Sequence, residues 1–218
     1  ILISGHGSNM AKLAEAIETD QLDARIAIVI GSQHCAGIAL AANLGIKTKV
    51  IERRNFAARH THDAAIQDAI TSTSADYVFL AGYMAILGAE FTKAFAGKLI
   101  NIHPSLLPEF KGLDTHQRAI EAQARQHGAT VHLVTAELDD GPIILQAELS
   151  ILPEDDADRL AARVLQLEHH LYPFVLKCLC KGYLTLAADQ VNWHHPDLAL
   201  QSLSADRRLI ETLKWPKC

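Results

Sequence analysis

Short apolar runs, separated by loops of glycine and polar residues, recur along the first hundred positions. Ile1-Leu2-Ile3-Ser4 reads as the carboxyl end of a buried strand; residues 26–30, 77–81 and 98–102 repeat the same largely apolar pattern, and 47–51 reads as a further strand. The stretches between them predict helices over 10–18, 37–44, 62–73 and 88–95, the second ended by Gly45. Strands this apolar are buried on both faces. The alternation therefore predicts an α/β fold: a mostly parallel, Rossmann-like twisted sheet with helices on both faces.

Beyond residue 102 the pattern changes. A helix is expected over 115–126, capped by Gly128, and 130–135 alternates like a strand with one wet face. The turn at 137–142 leads back through 143–151, which makes a C-terminal antiparallel extension of the sheet. A long helix from Asp155 carries Leu160, Val164, Leu167 and Leu171 on one stripe, and Pro173 is expected to kink or split it before Cys178. The tail, 184–218, has few periodic residues and no clear elements.

Composition narrows the class. With 218 residues, 49% of them hydrophobic, the chain can bury a full core. A net charge of -5 counts against a nucleic-acid surface. No apolar run approaches the ~18 residues that span a membrane, and no signal-peptide pattern is present. The four cysteines, Cys35, Cys178, Cys180 and Cys218, lack zinc-ligand or disulfide-framework spacing, so a reduced, cytoplasmic protein is expected. Twelve histidines invite a metal, yet no H-E-x-x-H or comparable carboxylate-supported set accompanies them, and none is expected.

Two stretches carry candidate chemistry. Gly5-His6-Gly7-Ser8-Asn9 joins a strand to a helix, and free N–H groups at a helix N-terminus favour an anion. A dinucleotide fingerprint would need a third glycine near Met10 and an acid after the second strand, where Gly31-Ser32-Gln33 stands instead. A monophosphate suits this loop better than NAD; a tight turn holding only water is the competing reading. The second stretch is Asn101-Ile102-His103-Pro104-Ser105-Leu106-Leu107-Pro108. Its prolines predict that His103 sits in a stiff turn rather than in a regular element. Asn101 offers an amide donor and His103 a proton carrier, unless they merely end the strand and cap local backbone. Ligands of parallel sheets collect at the carboxyl ends of the strands, so the glycine loop, Gly82 and residues 101–103 are expected on one edge.

Taken with Leu80-Ala81-Gly82-Tyr83-Met84, Glu137-Leu138-Asp139-Asp140-Gly141-Pro142 and Gln166-Leu167-Glu168-His169, these motifs resemble, in the same order, the phosphoribosylglycinamide formyltransferases. That is a folate-dependent family of purine synthesis, and the likeness runs from Ile1 to about Pro173. It implies a single formyltransferase domain over 1–183, with a phosphate-binding half (1–97) and a catalytic, folate-binding half (98–183). It implies a catalytic trio of Asn101, His103 and Asp139. The substrate 5-phosphoribosylglycinamide would place its phosphate on Gly7, Ser8 and Asn9, and its ribose against Leu165, Gln166, Leu167 and Glu168. The cosubstrate, 10-formyltetrahydrofolate, would contact Arg59, Met84, Ala85, Ile86, Leu87, Asn101, Thr135, Ala136, Glu137, Leu138 and Asp139.

In such a reaction a primary amine attacks the formyl carbon, and charge builds on the formyl oxygen. The resemblance implies small-molecule substrates, no metal, no nucleic acid or membrane, and a monomer or weak homodimer. Four positions depart from the family pattern: Ala85 and Lys111 stand where arginine and proline are common, Asp114 where histidine is, and Asp140 where glycine is. A formyltetrahydrofolate hydrolase using the same trio, or a noncatalytic folate- or nucleotide-binding module, are the alternatives.

Overall fold

The computed structural model of the chain describes residues 1–203 and 212–215. Strands β1 (Leu2–Ile3), β2 (Val29–Gly31), β3 (Thr48–Val50), β4 (Val78–Leu80) and β5 (Leu99–His103) run parallel, in spatial order β3-β2-β1-β4-β5. Next to β5 come the antiparallel strands β6 (Gln126–Leu133) and β7 (Ile143–Ser150). A separate hairpin is formed by β8 (Leu184–Leu186) and β9 (Val191–Trp193), and β10 (Leu213–Lys214) then pairs with β7. The expected mostly parallel sheet with an antiparallel extension is the one observed.

Alternation along each strand divides the core between two faces. Ile3, Val29, Phe79 and Ile100 point to one side, where α1 (Ser8–Thr19), α2 (Ala36–Asn43) and α6 (Ala157–Cys180) cover them. Leu2, Ile30, Leu80 and Leu99 point to the other, beneath α3 (Arg59–Thr71) and α4 (Ala89–Ala94). Burial on both faces is what makes these strands read as unbroken apolar runs. The antiparallel strands keep one apolar face: Ala129, Val131, Leu133, Leu145 and Ala147 pack into the α6 side. Their opposite face is polar and carries much of the site.

Three expectations are corrected. The helix expected over 115–126 ends early, as α5 (Thr115–Glu121), because Gln123 turns to φ 51° and the chain enters β6 at Gln126. Gly128 is therefore no cap but a mid-strand residue, where a Cβ would lie 2.0 Å from Ala147 O. Pro173 does not split the long helix, since α6 runs unbroken through it. Leu171, Tyr172, Phe174 and Val175 are all buried around the proline, and Tyr172 Oη bridges Leu80 O and Ile100 O at 3.0 and 2.9 Å. This packing holds the segment helical although the proline has no N–H to donate. Finally, His103 belongs to β5, paired opposite Thr130; the proline turn starts one residue later.

The described part of the tail has structure that periodicity did not announce. Besides the hairpin and β10 it forms α7 (Pro196–Gln201). Trp193 Nε1 donates to Ile144 O at 3.2 Å and stacks edge-on against Trp215. Cys218 lies outside the described residues.

Candidate active site

The strand order reverses direction between β1 and β4: the chain first builds outward to β3, then returns to the other side of β1. The loops after the two strands diverge there and open a cleft at their carboxyl ends. Ser4 closes its floor. Its N–H donates to Gly82 O at 3.1 Å, its hydroxyl accepts from Met84 N–H at 2.8 Å, and it meets the Ser32 hydroxyl at 2.7 Å. A cavity of about 550 Å³ lies elsewhere, at the opposite ends of β1, β2 and β4, lined among others by Ile1, Ile28 and Val78. No residue of the candidate site lines it.

On one side of the cleft, α1 begins at Ser8, two residues earlier than its amphipathic pattern suggests. Gly7 is its N-cap at φ 77°, and a Cβ there would lie 2.8 Å from Gly37 Cα. Only glycine fits this close crossing in this conformation. No side chain caps α1, so the N–H groups of its first turn remain available to an anion. Beneath them Asn9 Nδ2 donates to Glu168 Oε2 at 2.7 Å, and both residues are buried. Burial raises the Glu168 pKa to about 7, with the Asn9 hydrogen bond opposing part of the shift. Its neighbours on α6 diverge by the turn of the helix: Leu167 packs into the core, Leu165 is half-buried and Gln166 is exposed.

On the other side, cross-strand pairs build the site. Asn101 and His132 are directly opposite on β5 and β6, and Asn101 Nδ2 donates to His132 Nε2 at 3.1 Å. His132 Nδ1 lies 2.8 Å from Leu133 O, which can only accept, so Nδ1 carries the proton and Nε2 the lone pair. The carboxamide is thereby oriented, with its second N–H left for a ligand. Burial lowers the pKa of His132, which keeps this neutral tautomer.

His103 Nε2 donates to Phe110 O at 3.0 Å, and its Nδ1 stands 3.4 Å from Asp139 Oδ2. Asp139 lies at φ 48° after the β6 strand, its Oδ2 accepting Gly112 N–H at 2.9 Å and its Oδ1 3.8 Å from His132 Nε2. The face expected to be wet is in fact covered: Thr130 and His132 are buried beneath the proline turn and the Asp139 loop.

The structure thus joins Asn9 to Glu168 and His103 to Asp139, and it adds His132, Phe110 O and Gly112 N–H, which motif reading missed. A histidine two residues from Thr130, on a strand next to the one holding Asn101, was the available signal for His132. The remaining expected residues lie in the loops after β4 and β6 and at the start of α3. Met84, Ile86 and Leu138 are 63%, 65% and 61% exposed, an unusual set of large apolar side chains in water. Ala85, Leu87 and Thr135 are half-buried, while Ala136, Glu137 and Arg59 are exposed, the last beside Gly88 at the start of α3. Among the described residues no group of three or more His, Cys, Asp or Glu side chains is placed to hold a metal.

An amide donor, an imidazole and a carboxylate, with a helix end whose first N–H groups no side chain caps, are groups able to stabilise charge and move protons at a carbonyl carbon. The chain belongs to the formyl transferase family, whose model matches residues 1–176. It is similar to the phosphoribosylglycinamide formyltransferase of Haemophilus influenzae, 44% identical over 187 residues, covering 85% of this chain and 88% of that one. Among solved structures it resembles the phosphoribosylglycinamide formyltransferase of Coxiella burnetii, with TM-score 0.84 and 40% identity over 88% of this chain and 90% of that one. It is also similar, at 26% identity and TM-score 0.79, to a formyltetrahydrofolate deformylase of Pseudomonas syringae, covering 88% of this chain and 64% of that one.

Proposed function

We propose that the protein transfers the formyl group of 10-formyltetrahydrofolate to the amine of 5-phosphoribosylglycinamide, giving formylglycinamide ribonucleotide and tetrahydrofolate for purine synthesis. The observation that carries this reading is the pairing, across one cleft, of His103–Asp139 with the anion-ready end of α1 and the buried Asn9–Glu168 pair. The phosphate sits on the N–H groups of Gly7, Ser8 and Asn9, and Glu168 accepts from ribose hydroxyls. Apolar Met84, Ile86 and Leu138 cover the folate rings, with Arg59 toward the folate's acidic end.

The amine nitrogen attacks the formyl carbon, and the carbonyl electrons move onto oxygen. The free N–H of Asn101 and the charge of protonated His103 stabilise that oxyanion, a single such donor being worth about 3–4 kcal/mol. The amine loses a proton, the folate nitrogen gains one, the old C–N bond breaks and the carbonyl reforms. Asp139 balances the imidazolium and holds His103 Nδ1 toward the cleft. A cytoplasmic setting and a monomer or weak homodimer complete this reading.

The likeness to a deformylase favours one second reading, hydrolysis of the same cosubstrate. Measuring loss of 10-formyltetrahydrofolate with and without 5-phosphoribosylglycinamide separates the two. Loss that depends on the nucleotide supports transfer; equally fast formate release without it overturns the proposal in favour of hydrolysis.

A further inference from the structure

His103, Thr130 and Gln146 stand directly opposite one another on β5, β6 and β7. Cross-strand partners share a face, so the three side chains form one polar row. Gln146 Nε2 donates to Leu107 O at 3.0 Å and to Thr130 Oγ1 at 2.8 Å. Thr130 Oγ1 accepts in addition from Leu107 N–H at 3.1 Å and donates to Ser105 O at 2.6 Å. The hydroxyl's proton and both its lone pairs are therefore engaged, as are both N–H bonds of the Gln146 carboxamide. Together the two side chains grip the N–H and C=O of Leu107 and the C=O of Ser105.

The gripped segment leaves His103 at Pro104 and returns to it at Phe110, whose carbonyl accepts the His103 Nε2–H. Leu107 lies three residues before that carbonyl in the same short turn, so release of Leu107 lets the turn shift and weakens the bond that orients the imidazole toward Asp139. We infer that Gln146, acting through Thr130, is a positioning residue that sets the orientation of His103. The inference rests on the transfer reaction proposed above. It also predicts that position 146 needs an amide. A glutamate of the same shape would set a carboxylate against Leu107 O and against a hydroxyl whose only proton is already given to Ser105 O.

The test compares Gln146→Glu, Gln146→Met, Thr130→Val and Thr130→Ser in the full chain. Loss of the clamp is expected to lower kcat by about tenfold to a hundredfold, the scale of a slightly misplaced catalytic group. Gln146→Glu, Gln146→Met and Thr130→Val should show it with KM for both substrates within about twofold, whereas Thr130→Ser, which keeps the hydroxyl, should stay near wild type. Amide exchange supplies a readout independent of turnover. Leu107 N–H should lose protection in Thr130→Val and Gln146→Glu while Ile100 in β5 keeps it. Folded variants with unchanged kcat and unchanged Leu107 exchange overturn the inference. If Gln146→Glu fails to fold, the Thr130→Val and Thr130→Ser pair decides. If the wild type proves inactive in transfer, the proposed reaction falls, and exchange at Leu107 still decides for or against the clamp.

Discussion

The two walls of the cleft are built from different materials. The α1 wall is mostly backbone: a left-handed glycine, the open N–H groups of a helix start, and one buried side-chain pair. The β5–β6 wall is mostly side chain: Asn101 on His132, His103 on Asp139, each partner more than thirty residues away in sequence. A backbone anion site tolerates almost any side chain at most of its positions, so it selects by shape and charge of the ligand. A side-chain wall depends on strand register, and a single atom out of place alters its chemistry. The first wall suits holding a substrate; the second suits changing one.

That contrast breaks first at Asp139. Asp139→Asn keeps an oxygen able to accept Gly112 N–H but removes the negative charge beside His103 Nδ1. Turnover should fall by about 10²–10⁴-fold, the usual weight of a positioned acid–base partnership. KM for the nucleotide should barely move, because the α1 wall is untouched. Steady-state kinetics with both substrates varied checks this. Near-normal kcat in the folded variant would take Asp139 out of the chemistry.

On the other wall the sharpest probe is Glu168, whose buried carboxyl is raised from 4.5 to about 7. A carboxyl raised in the folded state contributes stability that is fully present below about pH 4.5 and is lost as the pH climbs through about 7. The shift amounts to roughly 3 kcal/mol between those limits. Glu168→Gln can still accept from Asn9 but cannot ionise. Its Tm should therefore gain on wild type as pH rises from 5 to 8, and thermal melts across that range measure the gap. The nucleotide's KM should rise with kcat little changed, the reverse of Asp139→Asn. A Tm gap flat in pH would mean that Glu168 does not titrate as its burial demands.

The same contrast explains what was legible in the sequence. The parallel sheet could be read because β1, β2, β4 and β5 are buried on both faces, and the glycine loop and the 101–108 stretch are each contiguous in sequence. Gln146 was not legible as a site residue, since nothing local distinguishes it, and His132 offered only a histidine on a strand; the register of β5, β6 and β7 brings them to Asn101 and the proline turn. Pro173 misled for a related reason. Its local rule is to break a helix, and burial of Tyr172, Phe174 and Val175 against the sheet overrides that rule. The early end of α5 followed from a positive φ at Gln123, a residue type that does not advertise one. The tail's strand at Leu213–Lys214 is two residues long and exists only by pairing with β7, so no periodicity could disclose it.

The smallest expected effect concerns how the side-chain wall is kept in register with its covering loop. Lys111 and Asp140 form an ion pair with each other. It lies next to the Gly112 N–H bond to Asp139, while Arg118 Nη1 donates to Lys111 O at 2.6 Å from the other side. The pair ties the 110–114 loop to the loop that carries Asp139. Its side chains are 34% and 55% exposed, so solvent screens it and it is worth no more than about 1 kcal/mol. Lys111→Glu or Asp140→Lys should therefore slow turnover by only about two- to fivefold at low salt. The double exchange should recover most of that loss, since it restores opposite charges across the same gap. At about 1 M salt, where the screening length falls to roughly 3 Å, all four proteins should converge. Kinetics of the four at low and high ionic strength form a closed cycle. Single variants matching wild type at low salt would leave Gly112 and Arg118 as sufficient to hold the loop. An α1-wall readout such as nucleotide KM should stay constant at high salt, where the charges of the pair are screened from the other side of the cleft.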